Sequence, residues 1–344
     1  MILVTGGCGF IGSNFILEWV KSSSEPIINL DKLTYAGNPE NLNGLGLDAN
    51  YKFVHGDIGN DSLISQILTE GRPRAIINFA AESHVDRSIA DLSDFLSTNV
   101  LGTVKLLNAT LKYWSDLDEQ DKSNFRFVHI STDEVFGSLE SGEAGFSEDH
   151  RFQPNSPYSA SKAASDHFVR AFYKTYGLPC ITTNCSNNYG PFQFPEKLIP
   201  LCITNAIDGK NLPIYGDGLQ VRDWLHVIDH CSAICKILAN GKVGETYNIG
   251  GNNEVSNIDV VTRICLILDS LVGRKDGESY SAQMSFVKDR AGHDRRYAVD
   301  SGKICMELEW QPIETFESGL FKTIQWYLEN PQWTKNITSG VYQD

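Results

Sequence analysis

The sequence has no surplus of positive charge. Its 29 Lys and Arg residues face 43 Asp and Glu, a net charge of −14 over 344 residues. That excludes the basic face that nucleic-acid binding needs, though a local basic cluster can still take an anionic substrate. No apolar run approaches the ~18 residues of a membrane span, so no membrane partner is expected. Met1–Thr5 is apolar, but Gly6-Gly7 ends it at once and the first basic residue is Lys21, which is not a secretory pattern. The eight cysteines (8, 180, 185, 202, 231, 235, 265 and 305) form no C-x-x-C pair, and Cys231 and Cys235 have no partner at metal-ligand spacing. Reduced thiols in a cytoplasmic protein are expected, with no bound metal. There is no internal repeat and no low-complexity tract. Hydrophobic residues at 41% and charged residues at 21% place the chain among globular proteins rather than disordered ones.

What is present is alternation. Short apolar runs at Ile2–Thr5, Ile27–Leu30, Tyr51–His55, Ala75–Ala80, Phe125–Ile130 and Cys180–Thr183 are separated by helical patterns at Ile11–Val20, Leu96–Tyr113 and Pro157–Tyr176. The runs are near-continuously apolar rather than alternating, as in strands buried on both faces. Together with the intervening helices they predict right-handed βαβ units, hence an α/β fold with a Rossmann-type doubly wound parallel sheet. After about Tyr189, Gly-Pro and Gly-Asp-Gly signals and a richer aromatic content predict a smaller C-terminal lobe over the ligand face. Asp223–Leu238 and Tyr247–Gly250 look strand- and helix-like again. The expected division is therefore 1–186 plus a return segment at about 223–255, with a discontinuous lobe over most of 187–344.

The glycines Gly6, Gly9 and Gly12 follow the first strand and open the first helix. Gly6 allows a sharp turn, Gly9 a close backbone approach to a pyrophosphate, and Gly12 tight helix–sheet packing. Asp31 ends the next strand 19 residues after Gly12. A carboxylate there accepts from ribose hydroxyls and repels a 2′-phosphate, which favours NAD, although Lys32 beside it weakens that preference. Asp57-Ile58 and Phe79-Ala80-Ala81-Glu82-Ser83 follow later strands and are placed to meet the adenine and the middle of the dinucleotide.

Tyr158 and Lys162 are four apart on a predicted helix and share a face. A phenol near pKa ~10 is a poor base, and an adjacent ammonium is expected to lower it. Ser131-Thr132-Asp133-Glu134 ends the fifth strand at the ligand face. A hydroxyl there can hold the reacting oxygen. The two carboxyl groups exceed what simple oxidation needs, but they suit one acid and one base in an elimination beside a temporary ketone.

On these residues the chain resembles the extended short-chain dehydrogenase/reductase family, and within it the 4,6-dehydratases of dTDP-glucose. The matching strings are TGGCGFIGS, DKLTYAGN, AAESHVDRS, STDEVFG, SPYSASKAASDH, TNCSNNYGP, FPEKLIP, PIYGDG, VRDWLHV, YNIGG and DRAGHDRRYAVD, from Thr5 to Asp300. TFESG and QWYLEN extend the likeness almost to the C-terminus. The resemblance implies that Tyr158, with Lys162, takes the C4 hydroxyl proton while Thr132 holds the C4 oxygen. Glu134 then removes the C5 proton and Asp133 protonates the departing C6 hydroxyl. It adds Phe10, Ile11, Leu33, Thr34, Thr98 and Asn188 to the cofactor set. It implies substrate contacts at Ser83, Thr132, Asn187, Lys197, Leu198, Pro213, Ile214, Tyr215, Arg222, Asn257, Asp289, Arg290, Ala291, Gly292 and His293. Arg222 and Arg290 suit a diphosphate, whose oxygens match guanidinium forks. A homodimer is implied as well. Cys8, Phe136 and Ala291 depart from the family pattern, where alanine, tyrosine and proline are usual. Alternatives on the same residues are a 4,6-dehydratase of UDP-glucose or another nucleotide sugar, a nucleotide-sugar 4-epimerase, and a non-catalytic dinucleotide sensor.

Overall fold

A computed structural model of the chain describes residues 1–45 and 50–340. Its strands in chain order are β1 (Ile2–Thr5), β2 (Ile27–Asp31), β3 (Tyr51–His55), β4 (Ala75–Asn78), β5 (Arg126–Thr132), β6 (Cys180–Cys185), β7 (Asn187–Tyr189), β8 (Leu212–Tyr215), β9 (Val221–His226), β10 (Thr246–Ile249), β11 (Glu254–Ser256), β12 (Met284–Val287) and β13 (Arg296–Tyr297). The helices that matter here are α1 (Phe10–Ser22), α2 (Thr103–Ser115), α3 (Pro157–Tyr176), α4 (Leu198–Ile207), α5 (Val227–Asn240), α6 (Asn257–Leu271) and α7 (Phe316–Glu329).

Seven strands form one sheet in the order β10-β6-β5-β4-β1-β2-β3, with every pairing parallel. The order reverses between β1 and β4, so a crevice opens at their carboxyl ends, where such sheets bind ligands. β1, β2, β4 and β6 are buried along their length, which is why they read as unbroken apolar runs. β3 is different. It lies at the sheet edge, and Lys52, Phe53 and His55 are exposed, so the expectation of burial on both faces fails there. One face of the sheet packs on α1 and α5 through Phe15, Trp19, Ile234 and Ile237; the other packs through Leu3, Ile28, Leu106, Leu107 and Phe172.

α3 spans the residues its pattern predicts. Ser156 and Ser159 form a reciprocal cap at its start, Pro157 occupies the first turn, and Gly177 at φ +74° ends it. The pattern at Leu96–Tyr113 does not form one α-helix. Leu96–Gly102 is a wide π-helical turn that leads into α2.

β9 pairs with β7, β11 and β13, and β8 pairs with β12, beneath α4, α6 and α7. Tyr189, Trp224, Ile264, Phe316 and Leu320 fill this second core. Within the expected return segment at 223–255, α5 and β10 lie with the main sheet, while the flanking β9 and β11 pair with each other. No helix among the described residues is long and apolar enough to cross a membrane.

Candidate active site

The nucleotide turn sits where β1 meets β4. Gly6 adopts φ +69°, and a Cβ on it would stand 2.7 Å from the Ala80 nitrogen. A Cβ on Gly12 would stand 2.4 Å from the Gly6 carbonyl oxygen. Both distances are forbidden, so this cradle exists only with glycine. Gly9 precedes α1 without any side-chain cap, which leaves the first-turn N–H groups free for an anion. Asp31 accepts the Cys8 N–H and the Leu33 N–H, each at 2.8 Å. Each carboxylate oxygen keeps a lone pair for a ribose hydroxyl. Lys32 is tied to Asp57 at 2.8 Å, away from Asp31. Glycine cradle, uncapped helix start and carboxylate together fit an NAD dinucleotide.

One continuous cleft is lined by Gly6, Gly9, Phe10, Ile11, Gly12, Asp31, Lys32, Thr34, Asp57, Ile58, Phe79, Ala80, Ala81, Glu82, Ser83, Thr98, Thr132, Asp133, Glu134, Tyr158, Lys162, Asn187, Asn188 and Lys197. Leu33 is not in its wall; the chain turns there at φ +54° and only its N–H serves Asp31. Leu198, Pro213, Tyr215, Arg222, Asn257, Asp289, Arg290, Ala291, Gly292 and His293 also lie outside it. Ile214 does too, and its side chain is buried in the second core, leaving only its backbone for a ligand. These residues ride on the lobe rather than the sheet.

Sequence reasoning missed Asn99. The π-helical turn buries it, and it accepts from the Glu82 N–H (2.9 Å) and donates to the Glu82 carbonyl (3.0 Å) and the Ser161 hydroxyl (2.9 Å). It thereby clamps the Glu82 loop to α3. A one-turn register change in a helix leaves no periodic signal that would have revealed it. Ser131 lines the cleft as expected, and Cys185, Ser186, Phe192, Gln193 and Glu196 line it without having been anticipated.

At the end of β5, Thr132 accepts the Glu134 N–H at 3.3 Å and donates to Asp133 at 3.3 Å. Asp133 is 1% exposed, and one of its carboxyl oxygens has no partner. Burial, then the Glu134 charge, pushes Asp133 well above the ordinary carboxylate range, against the pull of Arg222. Burial also raises Glu134, but Arg290, Lys197 and Arg222 oppose it. The two acids therefore differ in surroundings: burial and the neighbouring carboxylate both push Asp133 up, whereas three cations oppose the burial of Glu134. Tyr158 is 8% and Lys162 3% exposed. The Lys162 ammonium donates to the Ile130 carbonyl at 2.8 Å. The expected lowering of the Tyr158 phenol does not come from the polypeptide. Burial and the Glu134 charge hold the phenol well above its usual value, and burial pulls Lys162 itself down. The sequence argument counted the ammonium but not the desolvation of both groups.

Arg222 lies over the Tyr297 ring at 4.3 Å and donates to the Val221 and Asp294 carbonyls. Lys197 donates to the Ser83 carbonyl at 3.0 Å. Buried polar atoms of Asp133, Asn187 and Arg290 have no hydrogen-bond partner among the described residues, as in a site shaped for a polar ligand.

The family model described as GDP-mannose 4,6 dehydratase matches residues 3–323. The dTDP-glucose 4,6-dehydratase of Xanthomonas campestris pv. campestris is 56% identical over 99% of this chain and 97% of its own length. That of Salmonella typhimurium is 54% identical over 99% and 96%. The crystal structure of the Bacillus anthracis dTDP-glucose 4,6-dehydratase in complex with NAD matches with a TM-score of 0.86 at 49% identity, covering 98% of this chain and 99% of that one. The UDP-glucose 4-epimerase of Thermotoga maritima shares the fold, with a TM-score of 0.84, but only 26% identity over 96% and 99% of the two chains. With cleft, carboxyl pair and full-length similarity in agreement, the chain belongs to the dTDP-glucose 4,6-dehydratase family.

Proposed function

We propose that the chain converts dTDP-glucose to dTDP-4-keto-6-deoxyglucose and water. The observation that carries this reading is the carboxyl pair in the turn that directly follows β5, lining the same cleft as Tyr158 and Lys162. A 4-epimerase needs the second pair but not the first. Tyr158 takes the proton of the C4 hydroxyl, Thr132 hydrogen-bonds that oxygen, and Lys162 supports the phenol and the nicotinamide ribose. Bound NAD supplies a hydride acceptor for C4, a hydride donor for C6 and, when oxidised, a positive charge in the cleft. A ketone at C4 acidifies the C5 proton. Glu134 removes that proton and later restores it to C5. Asp133, whose burial favours its protonated form, delivers its proton to the departing C6 oxygen and water leaves; the proton gained by Tyr158 returns through solvent to Asp133.

Residues 1–186 with the return segment hold the dinucleotide in this reading, and the rest of 187–344 holds the sugar nucleotide. Lys197, Arg222 and Arg290 face the diphosphate. Leu198, Pro213, the Ile214 backbone, Tyr215, Asn257 and the Asp289–His293 loop form the remaining wall. We place the enzyme in the cytoplasm as a homodimer. Support for the compartment comes from eight unpaired cysteines. Support for the dimer comes from exposed Leu96, Leu101 and Phe168 on the π-helical turn and the adjoining α3, and light scattering tests it. The deciding experiment for the reaction is NMR of the product from dTDP-glucose with no added cofactor. A new C6 methyl signal is expected; a hexose stereoisomer instead would establish an epimerase.

A further inference from the structure

Among the buried titratable groups that the proposed reaction leaves unused are His129 on β5 and Asp166 on α3. Asp166 is eight residues after Tyr158 and four after Lys162, so the three share one helix face. One Asp166 oxygen accepts the Ser131 hydroxyl (2.8 Å) and the Asn184 amide (3.2 Å). The other faces His129 Nε2 at 3.4 Å. From His129 a polar row continues across the sheet in strand register: His129 stands opposite Asn78, and Asn78 opposite Thr5. The Thr5 hydroxyl donates to Asn78 (2.6 Å), and the Asn78 amide donates to His129 Nδ1 (3.2 Å). Ser165 donates to the Lys162 carbonyl and so accepts from His129 Nε2. These donors leave His129 a single, neutral tautomer. All of these side chains are buried. A polar row in a sheet core costs stability unless something offsets it.

We infer that Asp166 is the buried counter-charge that keeps the Lys162 ammonium protonated, held in place by Ser131 and Asn184, with the neutral His129 of the polar row beside its other oxygen. It is a positioning residue that acts through Lys162. The titratable groups near Lys162 are Tyr158 and Asp166 on its own helix, His129 on β5 and Cys185 on β6. Burial pushes the Cys185 thiol up to about 12 and His129 down, so both are neutral near pH 7. Burial lowers Lys162, and the Asp166 charge opposes that lowering. Without it the ammonium loses its proton at lower pH.

This inference rests on the proposed dehydratase chemistry for its kinetic readout but not for its thermal one. In Asp166→Asn, the alkaline limb of the kcat profile is expected to move down by about one pH unit, with kcat on the alkaline side reduced about tenfold and kcat below the limb little changed. A loss by the same factor at every pH would mark a merely structural role and overturn the inference. Thermal melts of Asp166→Asn and the Asp166→Asn/Lys162→Met double variant, run without substrate, supply the second test. The double variant is expected to melt higher, because it no longer buries a lone ammonium; an equal or lower melting temperature overturns the inference. If the single variant fails to fold, a folded double variant supports the inference and an unfolded one overturns it. Failure of the parent enzyme to dehydrate dTDP-glucose would refute the functional reading alone and leave the melts to decide this one.

Discussion

Asp133 and Glu134 are neighbours in sequence with different environments, and their variants should separate. Glu134→Gln is expected to reduce bound NAD on mixing with dTDP-glucose and then stall before water loss. Tyr158→Phe is expected to block even the reduction. Rapid-mixing absorbance of the nicotinamide reads both, and normal turnover by the glutamine variant would remove Glu134 as base. Asp133 also carries a stability cost. Its folded-state pKa lies above that of the unfolded chain, so between the two values the folded state holds a proton that the unfolded state releases. Stability therefore falls as pH rises through that window. Asp133→Asn has no such proton. Its melting temperature should gain on that of the parent as pH rises from about pH 4 through that window, while dehydration is lost.

At the scale of elements, the β1–α1 turn makes the sharpest demand. Gly12→Ala places a methyl group against the Gly6 carbonyl inside the first helical turn, where neither neighbour can yield cheaply. α1 must shift from the phosphate position, and NAD affinity should fall by at least about tenfold in calorimetric titration. The turn was legible because glycine spacing, a preceding strand and a following helix all appear in one short string. α3 was legible for a similar reason: Ser156, Pro157 and Gly177 punctuate it. The edge position of β3 was missed although Lys52 and His55 interrupt its apolar run, because the strand order that leaves it outermost is not written in a local pattern. The π-helical turn that buries Asn99 was hidden likewise, because one extra residue per turn barely disturbs hydrophobic periodicity.

Across the whole molecule, the lobe's cations oppose the burial that raises Glu134, the base of the proposed reaction. Arg290 sits in the Asp289–His293 loop, far along the chain from β5, yet it is the strongest influence lowering Glu134. Arg290→Met should raise the Glu134 pKa and move the acid limb of the kcat profile upward by about one pH unit. An unmoved limb would mean that the lobe cations do not govern the base. By itself, the sequence determined the strand–helix alternation, the glycine cradle, the NAD-favouring carboxylate and the residues of the catalytic strings, because each depends on neighbours within a few positions. Only the tertiary structure decided which charges meet. It placed Lys197, Arg222 and Arg290 around Glu134, sealed Asp133, and lifted rather than lowered Tyr158. Desolvation and long-range Coulomb fields depend on what covers a group in space, and no local pattern of residues records that.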